Sequence, residues 1–232
     1  MNIFSAFYCE TIKIIRSKVF ALIFVFFAVS LTILSFGIVQ RNWTEFFNRF
    51  FTLAANMGLI GNFFIASWVF GREFMDKTNK DLVAKPMPRT TVVLSKFLII
   101  FLWGVVFMTF LFIFSLAIGF LLGFTGFTGA LLSRALPKFI VTFLFYIIIS
   151  TPGAFFASIS RGILAPIGIL FVIAIAANII GNTGAAVYFP WTIPTVFRET
   201  GRLNPVSIAI LVSAGIAGAA GTVAWWKYAE QE

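Results

Sequence analysis

Long uncharged stretches alternate along the chain with short charged ones. Residues 19–40, 50–71, 97–133, 139–160, 162–197 and 203–226 contain no Asp, Glu, Lys or Arg. A helix needs about 20 apolar residues to cross a hydrocarbon core roughly 30 Å thick. Each stretch therefore holds one crossing, and the pattern predicts transmembrane helices near 19–39, 52–71, 97–122, 139–160, 163–183 and 205–226. The third and fifth stretches exceed one crossing, and their Gly- and Pro-rich ends read as loops. The first stretch is too long for the apolar part of a cleavable leader and lacks a small-residue cleavage pattern, so it reads as a retained span.

Two polar segments carry helical patterning. In residues 2–17, Phe4, Phe7, Tyr8, Thr11 and Ile15 share one arc of a helical wheel, with Glu10, Lys13, Arg16 and Ser17 opposite. This predicts an amphipathic helix lying in the membrane interface ahead of the first span, either a topological anchor or a functional elbow. The segment 72–96 is the longest polar connection. Nothing breaks a helix from Glu73 to Ala84, and Pro86 and Pro88 then stop it. Phe74, Met75, Thr78 and Leu82 share a face, an apolar knob with a charged rim. That form suits docking in a partner's groove, and equally a solvated loop helix packed on the membrane face.

Composition removes most other classes of function. Apolar residues make up 60% of the chain and charged residues 11%, against about 45–50% and about 25% in soluble domains. The net charge of +9 reads as loop charge facing anionic headgroups, since no basic stripe lies within a soluble domain, and no nucleic-acid partner is expected. There is no histidine, which excludes a His-based triad and removes the commonest metal ligand. Cys9 is the one cysteine, so no intrachain disulfide is possible. No catalytic, cofactor or metal site is predicted. A membrane enzyme acting on lipids would need a clustered acid, base or metal site, and the only clustered acids, Glu73, Asp76 and Asp81, are interleaved with lysines.

Lys and Arg in the loops set orientation. With both termini inside, the inner segments carry Lys13, Arg16, Lys18, Arg72, Lys77, Lys80, Lys85, Arg89, Lys96, Arg161 and Lys227, and the outer ones Arg41, Arg49, Arg134, Lys138, Arg198 and Arg202. The bias favours cytoplasmic termini. Trp225, Trp226 and Tyr228 read as inner aromatic anchors, Tyr188 and Trp191 as outer ones. No Gly-x-x-x-x-Gly-Lys-Ser/Thr loop occurs, so energy for any transport must come from a partner or an ion gradient. The predicted spans hold no ionisable residue, which argues against a proton relay. Asn178, Ser150, Thr151 and a break at Pro152 leave sodium coupling open. An uncharged pathway suits an apolar or amphipathic cargo. Ala214, Gly215, Ala217, Gly218, Ala219 and Gly221 in the last span predict close helix packing, static or sliding.

The stretch from Phe70-Gly-Arg-Glu-Phe through Lys85-Pro-Met-Pro-Arg to Leu94-Ser-Lys-Phe resembles the coupling segment of type-2 ATP-binding-cassette exporter permeases. The matching positions are Arg72, Glu73, Thr78, Lys80, Leu82, Pro86, Arg89 and Lys96, with Val83 where a second leucine is usual. Tyr188-Phe-Pro-Trp-Thr-Ile-Pro194 is similar to the small permeases of bacitracin and lantibiotic resistance. The resemblance implies an all-α integral membrane protein: six transmembrane helices, an N-terminal amphipathic elbow helix and a cytoplasmic coupling helix within the segment 72–96, in one permease domain spanning 1–232. It implies a bacterial plasma-membrane subunit of an ATP-driven exporter of a peptide antibiotic or other amphipathic compound. A second permease copy, as a homodimer, and two ATPase subunits would be its partners, with ATP and Mg bound in those subunits and none in this chain. Coupling to the ATPase would fall to Glu73, Phe74, Thr78, Leu82 and Arg89, with Arg72 and Lys96 flanking at the headgroups. Residues 184–201 would form a re-entrant segment interrupted by Pro190 and Pro194. A non-transporting membrane anchor for an ATPase, or a gradient-driven transporter, are the competing readings.

Overall fold

A computed structural model of the chain describes residues 3–38, 42–76, 78 and 88–229. Its helices are α1 (Ile3–Ile15), α2 (Lys18–Phe36), α3 (Trp43–Met75), α4 (Arg89–Leu121), α5 (Gly129–Ile159), α6 (Leu164–Gly181), α7 (Ile193–Thr200) and α8 (Pro205–Tyr228). A short 3-10 turn, Gly184–Val187, joins α6 to α7. Six of them, α2 to α6 and α8, are long and apolar enough to cross a membrane. The protein is an all-helical, multi-pass membrane protein, as its uncharged stretches predict.

Three spanning helices begin earlier than the uncharged stretches do. α3 starts at Trp43, α4 at Arg89 and α5 at Gly129, where the sequence pattern places starts near 52, 97 and 139. A charge ends an apolar run without ending a helix, because Glu, Lys and Arg are themselves good helix formers. The true starts are set by caps: Asn42 Oδ1 accepts from Glu45 N at 2.7 Å, and Thr128 Oγ1 accepts from Leu131 N at 3.3 Å. The spanning helices therefore do carry charges, among them Lys96 and Glu73.

α3 is the central helix. It lies against α4 and α5, while α2 and α6 are peripheral and turn Leu22, Phe26 and Ile33, and Phe171, Val172 and Ile175, outward. The phenylalanines are not confined to that outer surface. Phe46, Phe50, Phe107 and Phe124 are buried, and Trp43 sits among Phe46, Phe120 and Phe127 with ring centroids 4.8–5.3 Å away. Its indole N–H donates to Phe124 O at 2.9 Å, tying the start of α3 to the α4–α5 turn. Where hydrocarbon solvates outer faces, interior packing rests on such shape-matched ring contacts.

α8 runs against α5 on small residues. A Cβ at Gly218 would lie 2.4 Å from Pro152 N and 2.7 Å from Thr151 C. α5 continues through Pro152 without interruption, where the sequence pattern predicts a break. Proline removes the donor that Ile148 O would otherwise receive. Thr151 Oγ1 lies 3.0 Å from that carbonyl and 2.7 Å from Gly215 O on α8, so its one proton is shared between them, with the shorter bond running to α8. Ser150 and Asn178 likewise donate to carbonyls of their own helices. The unwound backbone that sodium binding would need is not found at Pro152.

The predicted re-entrant segment is compact. Thr192 Oγ1 donates to Ala186 O at 2.6 Å, and Ser207 Oγ donates to Val187 O at 2.7 Å. Gly201 ends α7 at φ 69°, a left-handed conformation that glycine adopts without cost. Satisfying these backbone groups internally is what irregular chain requires when lipid surrounds it.

Candidate functional site

The base of the helices holds a buried four-charge cluster contributed by α1, α3 and α4. Lys96 Nζ donates to Glu73 Oε1 at 2.7 Å, Glu10 Oε2 at 3.0 Å and Val69 O at 3.3 Å. Lys13 Nζ donates to Glu73 Oε1 at 2.8 Å and Glu10 Oε1 at 2.9 Å. Two carboxylates meet two ammonium groups, so the cluster is neutral. Three of the four are buried, Lys96 at 0% exposed, Glu73 at 1% and Glu10 at 6%, while Lys13 closes the cluster with 30% of its side chain exposed. Charges taken out of water this completely persist only when paired and hydrogen-bonded.

The N-terminal helix makes this cluster by turning its charged arc inward. Glu10 and Ile14 are buried against the bundle, while Phe4, Tyr8 and Ile15 face out. The amphipathic reading of α1 holds, but part of its polar face, Glu10 and Lys13, meets protein, while Arg16 stays exposed. Arg72 strengthens the junction. Its guanidinium donates to Lys13 O at 3.0 Å, pairs with Asp76 at 2.8 Å and stacks 4.9 Å over Trp68. Lys96 does not flank the bundle at the headgroups, because it is inside it; Arg72, with 28% of its side chain exposed, underpins α1.

Burial opposes the Lys13 charge, yet Glu10 and Glu73 outweigh it and hold its pKa above the ordinary 10.5. A group whose pKa is raised by folding adds stability that is complete below the unfolded value and lost as pH climbs through the folded one. The melting temperature in detergent is therefore expected to fall above pH 10.5 more steeply in the wild type than in Lys13→Arg, whose charge persists. Parallel curves for the two proteins would refute the pairing.

The cluster sits where α3 hands over to the coupling segment. α3 includes Glu73 and Phe74 and ends at Met75, with Asp76 as its C-cap, so these residues belong to a spanning helix rather than to a separate short one. Residues 77 and 79–87 lie outside the described residues, Leu82 and the rest of the predicted coupling helix with them. Thr78 is described, and its hydroxyl donates to Glu73 Oε2 at 2.5 Å. At the far end of the segment, Arg89 donates to Trp226 O at 3.3 Å and Lys227 O at 3.5 Å. Those are among the last carbonyls of α8, where a cation is favoured by the helix dipole. Phe74 packs 5.8 Å from Trp226. Trp226 is buried and bonds Ser158 Oγ at 3.0 Å, so it is a core residue and not an interfacial anchor.

Of the five residues predicted for coupling, four are described: Glu73 and Thr78 are bonded to each other, Phe74 packs between α3 and α8, and Arg89 caps α8. Glu73 is buried and the other three are half-buried. Sequence reasoning missed the cluster partners Glu10, Lys13 and Lys96. The available signal was scarcity: with 8 acidic residues against 17 basic ones, an acid in an apolar helix needs a buried partner.

A second feature lies at the other end of α3. Asn48 and Glu73 are about 37 Å apart along the helix, at about 1.5 Å per residue, which is roughly a membrane thickness. Around Asn48 a cavity of about 730 Å³ opens between α3, α5 and α7, with Arg134, Lys138, Arg198 and Glu199 on its wall.

The sequence profile of the ABC-2 family transporter proteins matches residues 6–177, which include the whole charge cluster and both ends of the coupling segment. The chain belongs to the ABC-2 transporter family. It is also 22% identical, over 187 residues, to a bacitracin transport permease protein of Bacillus licheniformis, an alignment covering 78% of this chain and 88% of that one. An ABC-2 permease is the membrane component of an ATP-binding-cassette transporter and works with an ATP-binding cassette subunit. In this ABC-2 permease the cluster joins the N-terminal helix, the central span and the coupling segment at one point.

Proposed function

We propose that this permease is the membrane-spanning half of an ATP-driven exporter in the bacterial plasma membrane. It has both termini in the cytoplasm and works as a homodimer on two ATPase subunits that bind ATP and Mg. Its cargo is a peptide antibiotic of the bacitracin type or a similar amphipathic compound, in line with the name of its relative. The observation that carries the reading is the anchoring of the coupling segment at both ends: to the cluster through Thr78 and to α8 through Arg89. A segment tied at both ends to spanning helices passes a push from below to those helices, whereas a loosely tethered one absorbs it. Leu82, on the predicted helix, makes the contact with the ATPase, and Glu73, Phe74, Thr78 and Arg89 transmit it.

Docking and transmission separate experimentally. Pull-down of the tagged chain from native membranes is expected to recover an ATP-binding-cassette ATPase from the wild type and to lose it in Leu82→Asp. Thr78→Val and Arg89→Gln are expected to keep the ATPase. Each removes a hydrogen bond to or from a charged group, worth about 1.5–3 kcal/mol, so bacitracin-stimulated ATP hydrolysis should fall about tenfold or more. Failure to recover any ATPase with the wild type would end the reading. ATPase recovery without cargo-stimulated hydrolysis would favour a non-transporting anchor.

A further inference from the structure

The cavity opposite the charge cluster carries a chemistry that an uncharged pathway does not predict. Arg134, Lys138 and Arg198 face it against one acid, Glu199. Arg198 holds Glu199 Oε1 at 2.5 Å, and its side chain is only 11% exposed while that of Glu199 is 60% exposed. The second guanidinium nitrogen, Nη1, is buried with no hydrogen-bond partner among the described residues. Arg198 also borders an adjoining cavity of about 340 Å³ lined by Asn56, Asn178, Asn182 and Trp191. The remaining wall of the larger cavity is mixed, with Thr44, Asn48, Thr52 and Thr128 beside Phe47, Ala130, Leu131 and Ala135.

We propose that this cavity binds the phosphate group of an amphiphile, with Arg134 forking its oxygens, Lys138 and Arg198 adding charge, and the apolar part of the wall, Phe47, Ala130 and Leu131, taking the attached hydrocarbon. Three cations and one acid leave an excess of +2, which complements a phosphate monoester carrying about −1.5 to −2 at pH 7. The guanidinium fork matches phosphate geometry. The volume is that of an ordinary ligand site, about 300–1,000 Å³. Its position at the end of α3, roughly one membrane thickness from the cluster, puts it at a leaflet surface, where headgroups lie.

The test uses the full chain in phosphatidylcholine nanodiscs, titrated by calorimetry with dihexanoyl phosphatidic acid, dihexanoyl phosphatidylcholine and inorganic phosphate. Phosphatidic acid is expected to bind and phosphatidylcholine not, with affinity falling about tenfold or more in Arg134→Gln and in Arg198→Gln. Arg134 is exposed, so its variant keeps the fold even where Arg198→Gln disturbs it. Glu199→Gln removes the competing anion and is expected to bind about two- to fivefold tighter, a gain that misfolding does not produce. Inorganic phosphate binding as tightly as phosphatidic acid would assign the site to free phosphate rather than to a lipid headgroup, and weaker binding to the amphiphile. No binding of either phosphate, or binding unchanged in Arg134→Gln and Glu199→Gln, overturns the proposal.

Discussion

Lys96→Met lowers the unfolding free energy of the protein by about 3–5 kcal/mol, the expected cost of removing one partner from a buried ion pair. Lys96 is wholly buried and donates to two carboxylates and a carbonyl at 2.7–3.3 Å. Methionine fills the space but leaves Glu10 and Glu73 sharing Lys13 alone, a net negative charge on two carboxylates that are themselves buried. SDS titration of the protein in mixed micelles measures the difference. Adding Glu10→Gln returns the cluster to neutrality and is expected to restore part of the loss. That rescue separates charge imbalance from simple loss of packing, which the second substitution would only worsen. A change of less than about 1 kcal/mol in Lys96→Met would mean that the charges are solvated, and the account of the cluster would fall. Since the cluster also receives Thr78, the same substitution is expected to loosen the start of the coupling segment.

Gly218→Ala and Gly168→Ala make the same chemical change with opposite expected results. At Gly218 the new methyl meets Pro152 N at 2.4 Å and Thr151 C at 2.7 Å. These are backbone atoms of α5, which cannot rotate away as a side chain does. α8 must retreat, and the Thr151–Gly215 hydrogen bond of 2.7 Å stretches with it. Overpacking of this kind costs about 2–3 kcal/mol. At Gly168 on α6 nothing lies within 4 Å of the added carbon, so alanine only restricts the backbone, and a stabilisation of about 0.5–1 kcal/mol is expected. Melting temperatures of the two variants in one detergent decide the matter. Equal shifts would show that α8 is not held against α5 by its small residues.

The charge cluster and the coupling anchors differ in how they could be read. Glu73, Thr78 and Arg89 were reached through a short stretch of sequence whose pattern is local. Glu10 and Lys96 are 86 positions apart, and the wheel of residues 2–17 assigns Glu10 to a polar face without saying what that face meets. A charge next to an apolar run is ordinarily placed at headgroups, because water and phosphate solvate it there. Lys96 instead turns inward, since α1 brings a carboxylate to it. Trp226 was misread for the same reason: an aromatic at a span end is interfacial only when no neighbouring helix covers it, and here α5 offers Ser158.

Sequence by itself determined that this chain is an all-helical membrane protein with six helices long and apolar enough to cross, because a helix satisfies its own backbone in lipid and the run lengths match the bilayer's thickness. It also showed that the chain holds no nucleotide-binding loop of the Gly-x-x-x-x-Gly-Lys-Ser/Thr kind. The tertiary structure alone decided which faces of those helices meet. It paired Glu10 and Lys13 with Glu73 and Lys96, set Arg89 on the end of α8, and drew Arg134, Lys138 and Arg198 around one cavity. Hydropathy is a property of one helix, whereas pairing depends on rotation and close approach of several. In this protein that approach is governed by single glycines and prolines whose effect appears only once the helices are packed.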